Sequence, residues 1–554
     1  MQTRLLLLAL PLLFLVGCKH GNQEKPLNRF SDPKLKKIYQ LQDKRDTKSL
    51  IPLLIAKNPA HREAAALAFA SFKDSTAAGF LKRSLLTDSE WIVRRAAAYS
   101  IGQQYDSANA NLLFEALKIE QNPVVIGYIV EALGKSANEK ALDYISKIKS
   151  DNEQIKLGQA KALCRAIWMG KKPTTFVQIG ISFFEKETSN EARLYAATAL
   201  SRMRKEITPS DSIKIKNILT SAQLEPETER LLKTIVEPKK ASEEITWFDF
   251  KRQLPELQKN PYKLAKSLND LVTNLPNLRY KEMAFNPQSA VADTLYNWTF
   301  HHRYQIVRTT ACEYYINHFL MNGNIPSTQY LTECIASRDM ALQSLAVNQI
   351  AKDSLAEFAG FLKKYQDSLS MPAQIETFID FEKAICKLEN RKYKAPNPAP
   401  THKIDWNYVK QIPDSQRVEI KTTKGDIELL LFVNDAPGTV YNFLKAAEDG
   451  FYNDKFFHRV VPNFVIQAGC QRGDGWGSPD WTQRSEFSNY LHYETGMVGM
   501  ASAGNDTEGL QFFITHNPTP LLEGRYSIFG KVVNGMNVVN SIEVGDKILS
   551  IKKI

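Results

Sequence analysis

One arginine stands inside an apolar segment near the end of the chain, where it could do chemistry. The segment FFHRVVPNFVIQAG (456–469) alternates apolar and polar residues as a half-buried strand does. Arg459 is costly to bury alone, so it either points into water beside a carboxylate or is held for a function. With a period of two, Arg459 and Val461 share one strand face. Pro462 then interrupts the strand, and Gln467 follows on the next one.

The sequence offers no other constellation typical of catalysis. Its cysteines form no CxxC and no Cys/His cluster with metal spacing; they are Cys18, Cys164, Cys312, Cys334, Cys386 and Cys470. His301 and His302 are adjacent and lack the i, i+4 spacing of a helical metal site. We therefore predict no metal, no disulfide framework and no cofactor.

The elements around Arg459 read as short strands with few helices. VEIKTTKGDIELLLF, from Val418, alternates on both sides of a Lys-Gly-Asp turn and predicts a hairpin. APGTVYNFLKAAEDGFY follows with the periodicity of a helix, and the rest consists of short strands separated by glycine-rich loops. Residues 413–554 therefore suit one small barrel with one or two helices.

These segments resemble a known family. KGDIELLLF, APGTVYNF, GFY, FHRVVPNFVIQAG, GMVGMASAG, QFFIT and GRYSIFGKVV occur in the order and spacing of cyclophilins, the peptidyl-prolyl cis–trans isomerases. The resemblance covers about 135 residues, from Val418 to the C-terminus. It implies that residues 413–554 form a closed β-barrel with flanking helices and isomerise X–Pro bonds.

The resemblance also implies a site. Arg459 and Gln467 would be catalytic, with Gln467 holding both Arg459 and the substrate carbonyl. Backbone groups near Ser502 would bind the peptide as a short added strand. The proline ring would enter an apolar pocket of Phe464, Val465, Phe513 and Leu522. The other implied substrate-binding residues are Ala501, Ser502, Ala503, Gln511, Leu521 and Tyr526.

The implied reaction explains the need for a cation. A peptide bond resists rotation by about 18–20 kcal/mol because the nitrogen lone pair is delocalised into the carbonyl. In the twisted transition state that lone pair localises and accepts a hydrogen bond. A guanidinium at this point binds the transition state better than either planar ground state. No nucleophile, proton transfer or cofactor is needed.

Four positions depart from the best-known eukaryotic pattern of the family. Leu521, Tyr526, Ser502 and Val465 stand where that pattern has tryptophan, histidine, asparagine and methionine. Leu521 argues against tight cyclosporin binding, because the tryptophan contributes to the drug site. The changes at the other positions bear on the choice of substrate.

Residues 35–389 have helical periodicity and repeat near their start. NPAHREAAALAFASF, EWIVRRAAAYSIGQ and NPVVIGYIVEALGK begin at Asn58, Glu90 and Asn122, 32 residues apart each time. One unit is too small to bury its own apolar face, so we expect the units to stack. The units resemble short HEAT repeats, which implies an all-α solenoid with a protein partner on its concave face. The rhythm breaks at 239–290.

A proline-rich linker, 390–412, separates the two regions. It carries Pro396, Pro398 and Pro400, and such segments are extended and semi-rigid. We predict that it acts as a spacer and does not pack against the rest of the chain.

The N-terminus predicts export. Arg4 precedes an apolar run from Leu5 to Val16, which is too short to span a bilayer but fits the core of a signal peptide. Gly17-Cys18 then resembles the lipobox of bacterial lipoproteins, the alternative being a plain secretory signal with a coincidental cysteine. We predict a signal peptide at 1–17 and a lipidated Cys18 that begins a flexible tether, 18–34.

This N-terminus also bears on location. Lipidation would anchor the protein in the cell envelope, on the periplasmic side or at the outer membrane. Lys19 differs from the aspartate that retains many lipoproteins at the inner membrane, which favours the outer membrane.

The net charge of +11 is uneven. Residues 417–554 carry 13 basic and 16 acidic side chains, so the preceding residues carry about +14. Such a basic region could meet an anionic membrane or an acidic partner, or it could be an ordinary solvated helical surface. Nucleic acid is not expected outside the cytoplasm.

Together these patterns predict an isomerase that acts on proline-containing peptides or unfolded envelope proteins. The helical array would set its distance from the membrane. One alternative is a lipid-anchored scaffold whose C-terminal domain binds proline peptides without relevant turnover. In another, the solenoid is the main actor in outer-membrane assembly.

Overall fold

The computed structural model describes residues 28–72, 74–185, 187–237, 247–274, 287–321, 325–396 and 400–554. The predicted signal peptide, the predicted lipidation site Cys18 and most of the predicted tether lie outside these residues. Within the described ranges, no helix is both long enough and apolar enough to cross a bilayer.

The N-terminal two thirds of the described chain, up to Leu388, are helical. The helices are α1 (Pro33–Asp43), α2 (Thr47–Leu50), α3 (Pro59–Ala68), α4 (Ala78–Thr87), α5 (Trp91–Gln103), α6 (Ala110–Leu117), α7 (Pro123–Ser136), α8 (Glu139–Lys147), α9 (Glu153–Trp168), α10 (Thr175–Glu185), α11 (Asn190–Ser201), α12 (Pro209–Ser221), α13 (Pro226–Val236), α14 (Trp247–Leu257), α15 (Pro261–Asn274), α16 (Pro287–His301), α17 (Gln305–His318), α18 (Ser327–Ala336), α19 (Met340–Asp353), α20 (Ala359–Gln366) and α21 (Ile375–Leu388).

The 32-residue repeat corresponds to helix pairs. Asn58 and Asn122 cap α3 and α7, and Pro59 and Pro123 occupy the first helical positions, where a missing N–H costs little. Helices α3, α5, α7, α9, α11 and α13 pack in succession and form an inner layer, and α4, α6, α8, α10 and α12 pack on its other side. The buried apolar residues of the helices belong to one core up to Leu232 and to a second core from Trp247. The boundary between the two cores overlaps the start of 239–290, where the sequence breaks rhythm.

The C-terminal domain is a curled antiparallel sheet with three helices. Its elements are α22 (Trp406–Val409), β1 (Arg417–Thr422), β2 (Gly425–Leu431), α23 (Pro437–Glu448), β3 (Arg459–Val461), β4 (Val465–Ala468), β5 (Met497–Met500), β6 (Phe512–Thr515), β7 (Ile528–Asn534), α24 (Met536–Ser541) and β8 (Ile548–Lys553). The predicted hairpin is β1–β2, in which Val418 pairs with Leu429. Phe443 of α23 packs in the core against Phe512 and Phe529.

The predicted closed barrel is instead a half-barrel. The strand order is β3-β4-β6-β5-β7-β2-β1-β8, and β3 and β8 do not pair as strands. Only the segment before β3 reaches β8, where the Asp454 N–H donates to the Ile548 carbonyl at 2.8 Å. The cause is local, because β3 has three residues and ends at Pro462, which has no N–H for a ladder.

The second half of the predicted spacer is packed. The N–H groups of Thr401 and His402 both donate to the Thr482 carbonyl at 3.0 Å. Trp406 is buried, with its ring centroid 5.4 Å from that of Phe30. The linker therefore fixes the C-terminal domain to the start of the helical region from Thr401 onward.

The helical region contacts the C-terminal domain along its whole length. The contacting pairs run from the first helices to the last: Arg45 with Asp506, Gln103 with Gly524, Tyr128 with Asn489, Arg165 with Glu523, Tyr262 with Gly473, and Asp339 with Arg472. One small domain can touch so many successive helices only if the layer curves around it. The face on which we expected a partner therefore contacts the chain's own C-terminal domain.

Candidate active site

Strand pairing places the candidate catalytic residues in one row. Arg459 of β3 lies directly opposite Gln467 of β4, and Gln467 lies opposite Phe513 of β6. Directly paired residues project from the same face of a sheet and contact each other. The register therefore gathers a cation, an amide and an aromatic ring on one face.

A hydrogen-bond chain fixes the amide. Gln467 Nε2 donates to Gln511 Oε1 at 3.1 Å, and Gln511 Nε2 donates to the Gly475 carbonyl at 2.9 Å. Because Gln511 is held by backbone, the orientation of Gln467 beside Arg459 is defined without a ligand.

Arg459 is an exposed cation without an ion partner among the described residues. Its guanidinium carbon lies 5.8 Å from the centre of the Phe464 ring. Partial desolvation lowers the pKa of Arg459 and Tyr526 opposes that shift, yet a guanidinium remains charged at neutral pH. The alternative of a carboxylate-paired surface arginine is not formed in the described part of the chain.

An apolar pocket lies beside this cation. Val465, Phe513 and Leu522 form its centre, and Phe464, Ala501 and Tyr526 pack against them. The Phe513 ring also stacks on Tyr493, with centroids 5.6 Å apart. A Cβ atom at Gly499 would overlap the Tyr493 hydroxyl and the Phe513 ring, so Gly499 leaves the space that the pocket needs.

Two cavities flank the pocket, and helical residues contribute to both. A cavity of about 100 Å³ is lined by Gln467, Gln511 and residues 501–503, with Glu376 from α21. Burial, followed by the nearby Asp380 charge, raises the pKa of Glu376 to about 7. A larger cavity of about 680 Å³ takes in the remaining predicted site residues, Phe464, Leu521, Leu522 and Tyr526. The structure thus brings the predicted catalytic and substrate-binding residues around one groove.

The loop Pro520–Gly524, which carries Leu521 and Leu522, is held by buried helical side chains. Arg165 of α9 donates from Nη1 to the Pro520 carbonyl and from Nη2 to Glu523 Oε2, both at 2.8 Å. Its Nε donates to Glu131 Oε1 of α7 at 2.9 Å. Burial alone would raise the pKa of Glu523, but His492 and Arg165 lower it to about 2.

The sequence analysis missed these helical residues. Arg165 occurs in QAKALCRAIW and Glu131 in NPVVIGYIVEALGK, charged positions in otherwise apolar helical segments. That irregularity was the available signal. Tyr493 was also missed, because a tyrosine in the irregular segment SNYLHYETG gives no comparable signal.

The arrangement can bind an apolar ring and present a hydrogen-bond donor beside it. Burial lowers the pKa of His458, the neighbour of Arg459, to about 4, so this histidine adds no charge beside Arg459 at neutral pH. Among the described residues no group of His, Cys, Asp and Glu side chains is arranged to hold a metal ion. The groove thus offers binding of an apolar ring and polarisation of the group next to it.

Comparison with known proteins identifies both regions. The family described as cyclophilin type peptidyl-prolyl cis-trans isomerase matches residues 417–552, and HEAT repeats match residues 38–102 and 84–164. A peptidyl-prolyl cis-trans isomerase of Synechococcus elongatus is 45% identical over 135 residues, which are 24% of this chain and 92% of that protein.

A second curated relative matches the same domain. Peptidyl-prolyl cis-trans isomerase B of Bacillus subtilis is 47% identical over 121 residues, 22% of this chain and 85% of that protein. A crystal structure of a Cryptosporidium parvum cyclophilin type peptidyl-prolyl cis-trans isomerase is 32% identical, covers 25% of this chain and 97% of that one, and has a TM-score of 0.24. This chain belongs, through its C-terminal domain, to the cyclophilin-type peptidyl-prolyl cis–trans isomerases, and HEAT repeats precede that domain.

Proposed function

We propose that the chain isomerises X–Pro bonds of cell-envelope proteins and thereby assists their folding, with Arg459 as the catalytic group. The observation that carries the proposal is the row of Arg459, Gln467 and Phe513, with a cation that has no ion partner among the described residues next to an apolar pocket. The proline ring occupies the pocket, Gln467 orients the substrate carbonyl, and Arg459 donates to the proline nitrogen as its lone pair localises.

The catalytic assignment is tested with residues 19–554 in a protease-free exchange NMR assay on a proline peptide. Arg459→Ala should lower kcat/KM by about 10²–10³, the usual loss when one transition-state donor is removed. Arg417→Ala is the matched control, because Arg417 is an exposed arginine of the same sheet paired with Glu428 at 2.7 Å. Equal activity of Arg459→Ala and Arg417→Ala would show that the catalytic group lies elsewhere.

The envelope location rests on the N-terminal sequence. An apolar run that ends in Leu15-Val16-Gly17-Cys18 is typical of a lipidated, exported protein, and these residues lie outside the described ones. The acyl chains on Cys18 would anchor the enzyme, and its clients would be exported chains that are not yet folded.

The structure supports a shorter reach from the membrane than the sequence led us to expect. Asn28 donates from Nδ2 to the Val409 carbonyl at 2.6 Å and to the Ile412 carbonyl at 2.8 Å. The chain from Cys18 to Asn28 can span at most ~34 Å, at about 3.4 Å per extended residue. In the proposed arrangement the tether, and not the helical array, therefore sets the distance between membrane and isomerase.

Labelled palmitate incorporation and cell fractionation test the anchor. The full chain should incorporate label and sediment with membranes, and Cys18→Ser should do neither while keeping its isomerase activity. Cys470→Ser, which changes a buried thiol in the C-terminal domain, is the matched control and should still be labelled. An unlabelled, soluble wild-type chain would disprove the anchor and leave the isomerase assignment standing.

A further inference from the structure

The 680 Å³ cavity next to the proline pocket is built jointly by the two regions. The C-terminal domain contributes Phe464, Leu522 and Tyr526, which also belong to the apolar cluster of the pocket. The helical region contributes Trp168 at the end of α9 and the chain that follows α11. A peptide whose proline occupies the pocket therefore has neighbouring residues within reach of helical side chains.

The lining of this cavity carries charge of one sign. Its charged members are all cations: Lys172, Arg202, Arg204, Lys205 and Arg525. Low-dielectric walls lined by one sign of charge concentrate the field and attract the opposite charge.

Most of these cations are not neutralised by the protein itself. Lys172 donates to the Arg202 carbonyl at 2.7 Å and reaches a carboxylate, Glu206, at 4.0 Å. The Arg525 guanidinium lies 4.5 Å from the centre of the Trp168 ring, a cation–π contact that leaves its charge in place. For the other three cations of the lining, no ion pair is formed within the described part of the chain.

A second cavity at the same seam has the opposite character. It encloses about 550 Å³, and its lining includes five glutamates, Glu191, Glu225, Glu227, Glu494 and Glu523. It contains none of the predicted substrate-binding residues. The positive lining thus distinguishes the 680 Å³ cavity from this neighbour at the seam.

We propose that the basic cavity binds an anionic side chain of the client, a carboxylate or a phosphate, a few residues from the proline that is isomerised. The helical repeats would then set the substrate preference of the isomerase. Only a few residues separate the proline from the anionic side chain, because the cavity shares its wall with the proline pocket. Each residue of extended chain advances about 3.3–3.6 Å. The inference rests on the proposed isomerase function and names the substrate class of that site.

The test is exchange NMR on residues 19–554 with peptides that differ at one position. A glutamate, lysine, glutamine or phosphoserine is placed one to three residues before or after the proline. At low ionic strength the glutamate peptide should exceed the lysine peptide in kcat/KM by about tenfold in at least one position, and salt should reduce that ratio. Phosphoserine against glutamate distinguishes the two sources of negative charge.

Charge-reversal variants locate the effect. Arg204→Glu with Lys205→Glu should abolish or invert the glutamate-to-lysine ratio, because both side chains are exposed at the cavity and neither forms an ion pair with another described residue. Lys140→Glu with Lys149→Glu changes the net charge equally at exposed positions away from the cavity and should keep the wild-type ratio.

The outcomes separate the inference from the function on which it rests. No turnover of the neutral glutamine peptide would refute the proposed function itself. Turnover without preference at any position, or a preference that survives Arg204→Glu with Lys205→Glu, would overturn the inference alone. Charge-dependent binding to anionic lipid vesicles without any peptide preference would also overturn it, because the cations would then serve the membrane surface.

Discussion

The two edges of the proline pocket are held in different ways. On one edge, Arg459 and Gln467 are fixed by strand pairing inside the C-terminal domain. On the other edge, Leu521 and Leu522 lie on a loop that side chains from α5, α9 and α11 hold in place. The pairing of the first edge lies within the C-terminal domain, whereas the loop of the second edge is held by helical side chains.

This difference separates chemistry from client binding. The groups that act on the peptide bond are positioned by contacts within the C-terminal domain, so changes in α5, α9 and α11 should leave their geometry intact. The pocket wall and the basic cavity include helical contacts, so the same changes should alter stability and KM. Four predictions test this division, ordered by the size of the expected effect.

The largest effect is expected at Arg165. Arg165→Met leaves Glu131 and Glu523 buried without their shared cation, and breaking a buried ion pair costs about 3–5 kcal/mol. We expect a lower urea midpoint together with a raised KM. Lys171→Met, an exposed neighbour of α9, should change neither. Adding Glu131→Gln and Glu523→Gln to Arg165→Met should restore part of the loss, and failure to do so would argue against the ion network as the cause.

The next effect depends on pH and arises inside the C-terminal domain. Burial, followed by the Asp506 charge, raises the pKa of Glu508 to about 8, so the folded state keeps this proton after the unfolded state has lost it. Stability should therefore fall as pH rises, by about 2–3 kcal/mol between pH 6 and pH 8, since each pKa unit corresponds to about 1.4 kcal/mol.

Urea unfolding at pH 6, 7 and 8 measures this dependence. Glu508→Gln, which cannot ionise, should flatten the pH dependence relative to the wild type. Equal slopes for the two proteins would mean that another group titrates. Because Glu508 contacts Ser485 and Ser527 of its own domain, KM should follow the wild type at pH 6.

A smaller effect is expected at Gln467 and should appear in catalysis. Gln467→Leu removes the amide opposite Arg459 and its bond to Gln511, and we expect kcat/KM to fall about tenfold, which corresponds to about 1.4 kcal/mol. The urea midpoint should move little, because Gln467 is only partly buried. Gln483→Leu, at a buried glutamine in the same domain, should show the reverse, with lost stability and little change in kcat.

The smallest effect is expected at Gln103. Its Nε2 donates to the Gly524 carbonyl at 2.6 Å, so Gln103→Ala removes one neutral hydrogen bond to the loop that Arg165 also holds. A loss of about 1 kcal/mol is expected, with a slight rise in KM. Gln104→Ala removes a bond to Phe69 within the helical region and should leave KM unchanged. A larger loss at Gln103 than at Arg165 would contradict the dominance of the ion network.

Much of the catalytic edge could be predicted from the sequence because its signals are local. The alternation around Arg459 and Gln467 predicts which side chains share a face, and two short strands separated by Pro462 bring them opposite each other. The helical repeats could also be predicted from the sequence, since Asn58 and Asn122 with their following prolines stand two repeat units apart, with Glu90 at the intermediate position.

The second edge could not be predicted, because its partners are far apart in the chain. Arg165 and Glu523 are separated by 358 positions, and a charged residue in a helix is by itself typical of a solvated face. A long separation along the chain also concealed the packing of the linker. Pro396, Pro398 and Pro400 predict an extended segment, but nothing nearby indicates that Thr401 bonds to Thr482. The half-barrel has a local cause, the short β3, which the motif order did not reveal.

The charged inner face near Arg165 has a consequence for synthesis. The ribosome completes α7 and α9 long before it makes the Pro520–Gly524 loop, so this surface must wait for its partner. An apolar surface left uncovered during that interval would favour association between nascent chains. Arg165 is instead a charged group that water can hydrate until Pro520 and Glu523 are made. We therefore expect the ion network to disfavour association of unfinished chains at the place where the finished protein is tightly joined.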